Sequence, residues 1–339
     1  ASSAASDVYK RQTHGEGFIR GFFNVIKSAT TGTGAALERL FITGVSPVTM
    51  DDVTSGFNIG TNITNDSWFN DLVGFSENEL REMLEYYKEQ GVLQESIDEI
   101  VAMMKPNYDN YCFSEDTLEQ CMFNSDMALY FLKSFVLHHK KPKEIVDPNI
   151  RTDFNKLAYL IKLDHGLGEN FSVIKEIAEQ GEIITDIVTH FSALEMTDPS
   201  NFKSLLFYFG LLSIKGVDMV GRPILHVPNL VVREQLFNFL IQGYIKHDIF
   251  KIDMNKMSAL FENMAFRGDW KPLFDFIANA VREQSRIREY IEGEAHIKGF
   301  LLAYLGMYRY YQLYPEYELN KGFADFFFKP SLSVPVLPP

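Results

Sequence analysis

Cysteine is scarce in this sequence: Cys112 and Cys121 are the only two among 339 residues. They have no metal-type pairing and no histidines at ligand spacing. That excludes a zinc module and a disulfide framework and predicts reduced thiols in a cytoplasmic protein. Long apolar runs are missing too. None approaches the roughly eighteen residues that a membrane-spanning helix needs, and the apolar stretch Leu205–Ile214 is broken by Gly210, as suits a buried core segment. Cations are outnumbered, 32 Lys and Arg against 45 Asp and Glu. The net charge of −13 excludes a protein that coats nucleic acid generally, while leaving room for a local basic groove. The phosphate-binding pattern GxxxxGK[ST] is absent. Thr31-Gly32-Thr33-Gly34 has no lysine after it and precedes an expected strand rather than a helix, so it reads as a linker loop.

What is present is core-forming material. A hydrophobic content of 46% with 14% aromatics, including 29 Phe, predicts packed cores and excludes disorder for most of the chain. The length allows two domains or three small ones. The ends read differently. Ala1–Gln12 (ASSAASDVYKRQ) is small and polar, has no apolar signal-peptide region, and is similar to adapter-derived sequence. Pro330–Pro339 is a proline-rich connector. Both ends are expected to mark a fragment.

Helical periodicity dominates the middle. Phe18, Phe22 and Ile26 share one face of a helix within Thr13–Ser28. Ser76 and Glu79 form a capping box that opens a helix through Tyr87, with Leu80, Leu84 and Tyr87 facing inward. A further helix is predicted over Glu95–Met104, ended by Pro106, with a short turn or hairpin at Asn107–Ser114. An aromatic helix covers Asp126–His138. Its end, His138-His139-Lys140-Lys141, reads as a solvated C-terminus that favours cations rather than as a metal or phosphate site. Pro142 and Pro148 mark a linker. Helices follow at 153–165, 170–180, 199–212 and 229–247, with a β-hairpin at Leu212–His226 turning over Gly216–Gly221. Helices with a hairpin are the composition of a winged-helix module. Its recognition helix would hold Phe202, Leu205, Leu206 and Tyr208 with Lys203 as the one cation, so internal packing is expected rather than DNA reading. Two amphipathic helices joined at Arg267-Gly268-Asp269 complete this part.

Two stretches carry chemistry. In Phe41–Ile59 an apolar run ends in Thr-Gly, followed by a Ser-Pro turn and the acidic pair Asp51-Asp52. A buried strand reads this way when it brings Thr43 and Ser46 to the edge of a parallel sheet, where ligands of open α/β sheets sit. An ordinary buried strand with a Ser-Pro turn reads the same way. In the second stretch, Glu294 opens a long apolar helix, AHIKGFLLAYLGMYRYY, and after a turn at Pro315 the segment Tyr317–Phe328 alternates into a strand that holds Asp325. A helix with one acid followed by a strand with another can begin a Mg²⁺ site, which needs two or three carboxylates and a lysine to position the attacking water. Asp325 alone also reads as a strand-edge acid.

The sequence ITGVSPVTMDDVTSGFNI, followed by WFNDLVGFSENEL at Trp68–Leu80, resembles the AAA-ATPase-like family of bacterial proteins. Members of that family usually end in a PD-(D/E)XK nuclease-like domain, and EYELNKGFADFFFKP resembles the opening of that second domain. The resemblance runs from about Thr13 to the end of the chain. It implies that Thr43 and Ser46 lie on a sensor strand beside ATP, that Asp325 is a Mg²⁺ ligand, and that Glu294 is the first-helix acid. It also implies a phosphate loop before Thr13 and a Glu-x-Lys strand beyond Pro339, leaving both sites incomplete.

The expected fold is mixed α/β and predominantly helical. Residues 13–75 would be the tail of a P-loop-type α/β domain, after an artefactual 1–12. Residues 76–148 would be a helical lid, 149–250 a winged-helix-like region, and 251–339 the start of a restriction-endonuclease-like α/β domain. The expected function is a piece of a nucleotide-controlled, Mg²⁺-dependent protein that cleaves or handles nucleic acid, itself inactive, with no membrane partner. The alternatives are a non-catalytic regulatory protein and a helical interaction scaffold.

Overall fold

A computed structural model describes residues 18–30, 34–44, 61–142, 144–147, 168–189, 195, 198–247, 250–284, 294–308, 310–319 and 322–330. Ser46, Asp51, Asp52, the expected helix 153–165 and both chain ends lie outside them. The chain divides into two compact units that interleave in sequence. One comprises 1–73, 111–121 and 184–225, and the other 74–110, 122–183 and 226–339.

The first unit opens with α1 (Phe18–Thr30), whose expected apolar face leaves Phe22 55% exposed. After it, Phe41–Gly44 is exposed and forms no strand. The strand expected around Thr43 is therefore not formed there, and among the described residues of 13–73 there is no sheet for it to join. A short 3-10 turn at Ser67–Phe69 is capped by Asp66. Buried Asn70 then ties this segment to 111–121: its amide donates to the Gln120 carbonyl at 2.9 Å and its Oδ1 accepts from the Phe113 N–H at 2.9 Å. Of the short turn or hairpin expected at Asn107–Ser114, no hairpin forms: the helix runs on to Tyr108 and Asn110 takes φ +74°. Tyr111 and Cys112 run instead beside Ser213, whose hydroxyl accepts from the Cys112 N–H at 2.7 Å.

Helix α6 (Pro199–Tyr208) starts at an Asp198 cap with proline at the first position, and ends four residues short of the predicted 212. Gly210 takes φ +69° and turns the chain, so that the Leu211 N–H reaches the Leu206 carbonyl. Phe202, Leu205 and Leu206 are fully buried, which is the packing role expected of them. Strands β2 (Ser213–Val217) and β3 (Pro223–His226) form the expected hairpin. Its turn is closed by Asp218, which accepts from the Arg222 backbone N–H and guanidinium, and by Gly221, which takes φ +84° and donates its N–H to the Asp218 carbonyl, while Gly216 lies within β2. Strand β1 (Glu182–Ile184) pairs with β3, giving the order β1-β3-β2.

The second unit has two packed regions. In the first, α2 (Glu77–Glu89), α3 (Ile97–Tyr108) and α4 (Ser125–His138) bury Leu80, Leu84, Ile100, Met104, Phe131 and Phe135. The Ser76–Glu79 capping box is formed in full. Pro106 does not end α3. It sits in the last turn, where only its own missing donor is lost, and Asn107 donates back to the Met103 carbonyl at 2.9 Å. Lys105 and Arg81 both pair with Glu77, and Arg81 also pairs with Asp98. Asp109 is buried at the end of α3. Desolvation pushes its carboxyl above the usual range, against an Asn110 N–H donor and Lys105 at 3.7 Å.

In the second region α5 (Glu169–Gln180), α7 (Leu230–Lys246) and α10 (Glu294–Gly306) pack on one another. Each pair of helices meets at a glycine. A Cβ on Gly243 of α7 would run into the Phe171 ring of α5, one on Gly306 of α10 into Phe237 of α7, and one on Gly299 of α10 into Glu179 of α5. Phe171, Tyr244, Phe250, Phe300 and Tyr304 stack edge to face or tilted around these contacts. Helices α8 (Met254–Arg267) and α9 (Lys271–Glu283) turn at Gly268, as expected. Strands β4 (Tyr311–Leu319) and β5 (Gly322–Pro330) form an antiparallel pair. Pro315 lies inside β4 opposite Phe326 rather than in a turn. A two-stranded ribbon leaves every second backbone donor unpaired, so proline is tolerated there.

Gly243→Ala is expected to destabilise the protein by about 1–3 kcal/mol through overpacking against the buried Phe171 ring. Gly21→Ala, on the open surface of α1 with nothing within 4 Å of the added carbon, should be neutral or slightly stabilising. Equal denaturation midpoints for the two variants would contradict this packing. Asp109 yields a pH prediction of definite sign. Its raised carboxyl makes the charged form a cost to the fold, so its stability contribution is complete at low pH and is lost as pH rises through its folded value. Asp109→Asn should therefore gain melting temperature relative to wild type between about pH 4 and about pH 7. A gap that does not widen over that range would refute it.

Candidate functional site

Asp325 lies near the middle of β5, between Ala324 and Phe326, which pair with Tyr317 and Pro315 of β4. Its side chain is 75% exposed. Residues Phe326, Phe327 and Phe328 are half-buried, and Phe328 meets Phe274 of α9 and Tyr311 of β4 edge to face, so the strand is anchored beside an exposed acid. A second anchor comes from α7. Arg233 donates to the Leu313 carbonyl of β4 at 2.5 Å and its guanidinium sits 5.4 Å from the Phe237 ring. Leu313 itself is buried, so the arginine satisfies a carbonyl that water does not reach.

Helix α10 packs along β4 and sends Lys298 to Asp325, with Nζ 3.3 Å from Oδ1. The lysine is 20% exposed, so the pair joins a largely buried cation to a largely exposed carboxylate. Next to it, Gly299 brings α10 onto Glu179 of α5. That carboxyl is pushed up by burial, opposed by Lys175 at 3.8 Å, and its Oε1 has no hydrogen-bond partner.

The structure brings some of the expected site residues together and not others. Glu294 is the first residue of α10, one helical turn before Lys298, and its carboxylate lies outside the described atoms. Thr43 is an exposed loop residue of the first unit, while Asp325 and Glu294 belong to the second. His138 and His139 are exposed. His139, the left-handed cap of α4, pairs with Glu95 at 3.1 Å, in keeping with the solvated end expected there. Lys298 is the residue that sequence reasoning missed. Its spacing of four from Glu294 on an apolar helix was the available signal, because residues at that interval share a face.

Among the described residues no group of three or more His, Cys, Asp or Glu could hold a metal ion. The donor chemistry of Asp325 still fits a hard cation. Mg²⁺ keeps several waters and is commonly held by one or two carboxylates together with substrate phosphates, and Asp325 offers an exposed oxygen donor of that type.

A family model for the PD-(D/E)XK nuclease superfamily matches residues 292–335, which include α10, β4 and β5 and so both Glu294 and Asp325. No curated protein and no solved structure matches the chain. The chain therefore contains a PD-(D/E)XK nuclease-like segment. Members of that superfamily generally use Mg²⁺ and act on nucleic acid. No helix among the described residues is long and apolar enough to cross a membrane.

Proposed function

We propose that the chain is part of a Mg²⁺-dependent protein that handles nucleic acid, with its cation centre on α10 and β5. The observation that carries this reading is the family match over 292–335, in which Asp325 stands exposed on a strand anchored from two sides. Asp325 is the cation ligand and Glu294 the second acid, one turn before Lys298 at the head of α10. A bound Mg²⁺ would neutralise phosphate charge and lower the pKa of a bound water. The protein's own part is to hold the carboxylate at the strand surface, and to keep its approach open from solvent. Hydrolysis needs a further carboxylate and an activating lysine. Among the described residues no group of three or more His, Cys, Asp or Glu forms around Asp325, so cation and phosphate binding is the activity assigned to these residues, with cleavage requiring a Glu-x-Lys element.

The net charge of −13 fits local rather than extended contact with a phosphate backbone. The further proposal that ATP controls the protein rests on the sequence resemblance of residues 41–59, with the Thr43 and Ser46 hydroxyls as the contacts, although Phe41–Gly44 forms no strand. Exposure of Thr43 leaves its hydroxyl available to a ligand.

Fluorescence anisotropy with a labelled oligonucleotide tests the main reading. Affinity should rise on adding Mg²⁺ and fall back with a chelator, and Asp325→Asn should abolish that increment, about tenfold or 1.4 kcal/mol, at an unchanged melting temperature. Identical affinities with and without Mg²⁺ in the wild type would refute it and leave a binding scaffold. For the nucleotide proposal, Thr43→Ala should shrink the ATP-dependent rise in melting temperature; an undiminished rise would remove Thr43 from the site.

A further inference from the structure

We infer that Lys298 is the resident counter-ion of Asp325 and competes with a divalent cation for that carboxylate. This rests on the reading of Asp325 as a cation ligand and adds a residue that sets how tightly that ligand binds. An ammonium 3.3 Å from Oδ1 already occupies the space a cation would take at that oxygen. Two positive charges cannot share a carboxylate at such range without strong mutual repulsion. Lys298 therefore weakens the binding of a divalent ion to Asp325, by holding Oδ1 and by repelling an ion at the other oxygen.

The surroundings decide which partner moves. The Lys298 backbone is fixed, because the next residue, Gly299, lies against α5 with no room even for a methyl group. Asp325 is held in a paired strand whose neighbours Ala324 and Phe326 are in register with β4. Neither backbone can withdraw. The four-carbon stem of the lysine can change rotamer, and the 75% exposure of Asp325 lets an ion arrive from the solvent side while the lysine holds the buried side. Lys298 is thus a positioning residue. It keeps the carboxylate neutralised when no cation is bound, and it lowers the affinity for the ion through competition and repulsion at that carboxylate.

Isothermal titration of the full chain with Mn²⁺ tests this without relying on turnover. Lys298→Gln should tighten Mn²⁺ binding by about two- to fivefold, the size of an ion pair with an exposed partner. Lys298→Arg keeps the charge and should leave the affinity close to that of the wild type. Lys329→Gln removes another exposed cation of β5 and separates the pair from the general field. An equal gain in that variant overturns the inference. Asp325→Asn distinguishes the two levels of the argument. If it abolishes binding while Lys298→Gln binds no more tightly than wild type, the ligand reading stands and the counter-ion inference falls. If Asp325→Asn binds Mn²⁺ like the wild type, or if neither wild type nor Lys298→Gln binds at all, both fall together.

Discussion

The contact between α5, α7 and α10 is the constraint on which the candidate site depends. Each of the three helix pairs closes on a glycine, with an aromatic ring or a carboxylate filling the place where a side chain would otherwise stand. Removing the Cβ lets backbones approach, and the aromatic cluster of Phe171, Tyr244, Phe300 and Tyr304 fills the remaining volume with large, stiff groups. Close packing of this kind transmits small displacements instead of absorbing them. Because Lys298 is the residue before Gly299, the position of the lysine is set by the packing of α10 on α5. The position of Asp325 is set by the strand pair that α7 holds through Arg233.

Buried polar groups do a different job elsewhere in the molecule. Asn70 joins two segments separated by more than forty residues of sequence through an amide that both donates and accepts. Asn110 and Asn229 do the same between the end of α3 and the start of α7, donating to the Pro228 and Asp109 carbonyls respectively. Asparagine suits these places because one side chain can satisfy a carbonyl and an N–H that no regular element pairs. A hydrophobic residue of similar size would leave those backbone groups unpaired in the interior, at roughly 1–3 kcal/mol each.

Local signals in the sequence were legible where local physics decides. The Ser76–Glu79 box, the Gly268 turn, the helices near 170–180 and 229–247 and the β2–β3 hairpin formed where patterning placed them. Errors came where a residue's usual role was overridden by its surroundings. Pro106 and Pro315 read as a terminator and a turn, yet Pro106 sits in the closing turn of a helix, where one i→i−4 bond is lost and the helix runs only two residues further, and Pro315 sits in a two-stranded ribbon. The apolar run Phe41–Gly44 read as a buried strand because periodicity alone cannot say whether partner strands exist, and its four residues are exposed. Asp325 was legible as a strand acid. Its partner Lys298 was not, since the pairing depends on how α10 lies along β4, a long-range fact with only a weak trace in the spacing.

The interleaving of the two units bears on how the chain acquires its structure. The polypeptide passes from one unit to the other at 73/74, 110/111, 121/122, 183/184 and 225/226, so neither unit is a continuous stretch. The first cannot be completed until Leu225 has emerged, about 150 residues after its opening segment ended at Val73. At roughly 5–20 residues per second that is a delay of about 8–30 s. During it, the partners of buried Asn70 in 111–121, and the segment that completes the unit, are still to be joined. The second unit is completed only by residues after Leu225, so the two units finish at different points of the chain and each assembles from segments distant in sequence.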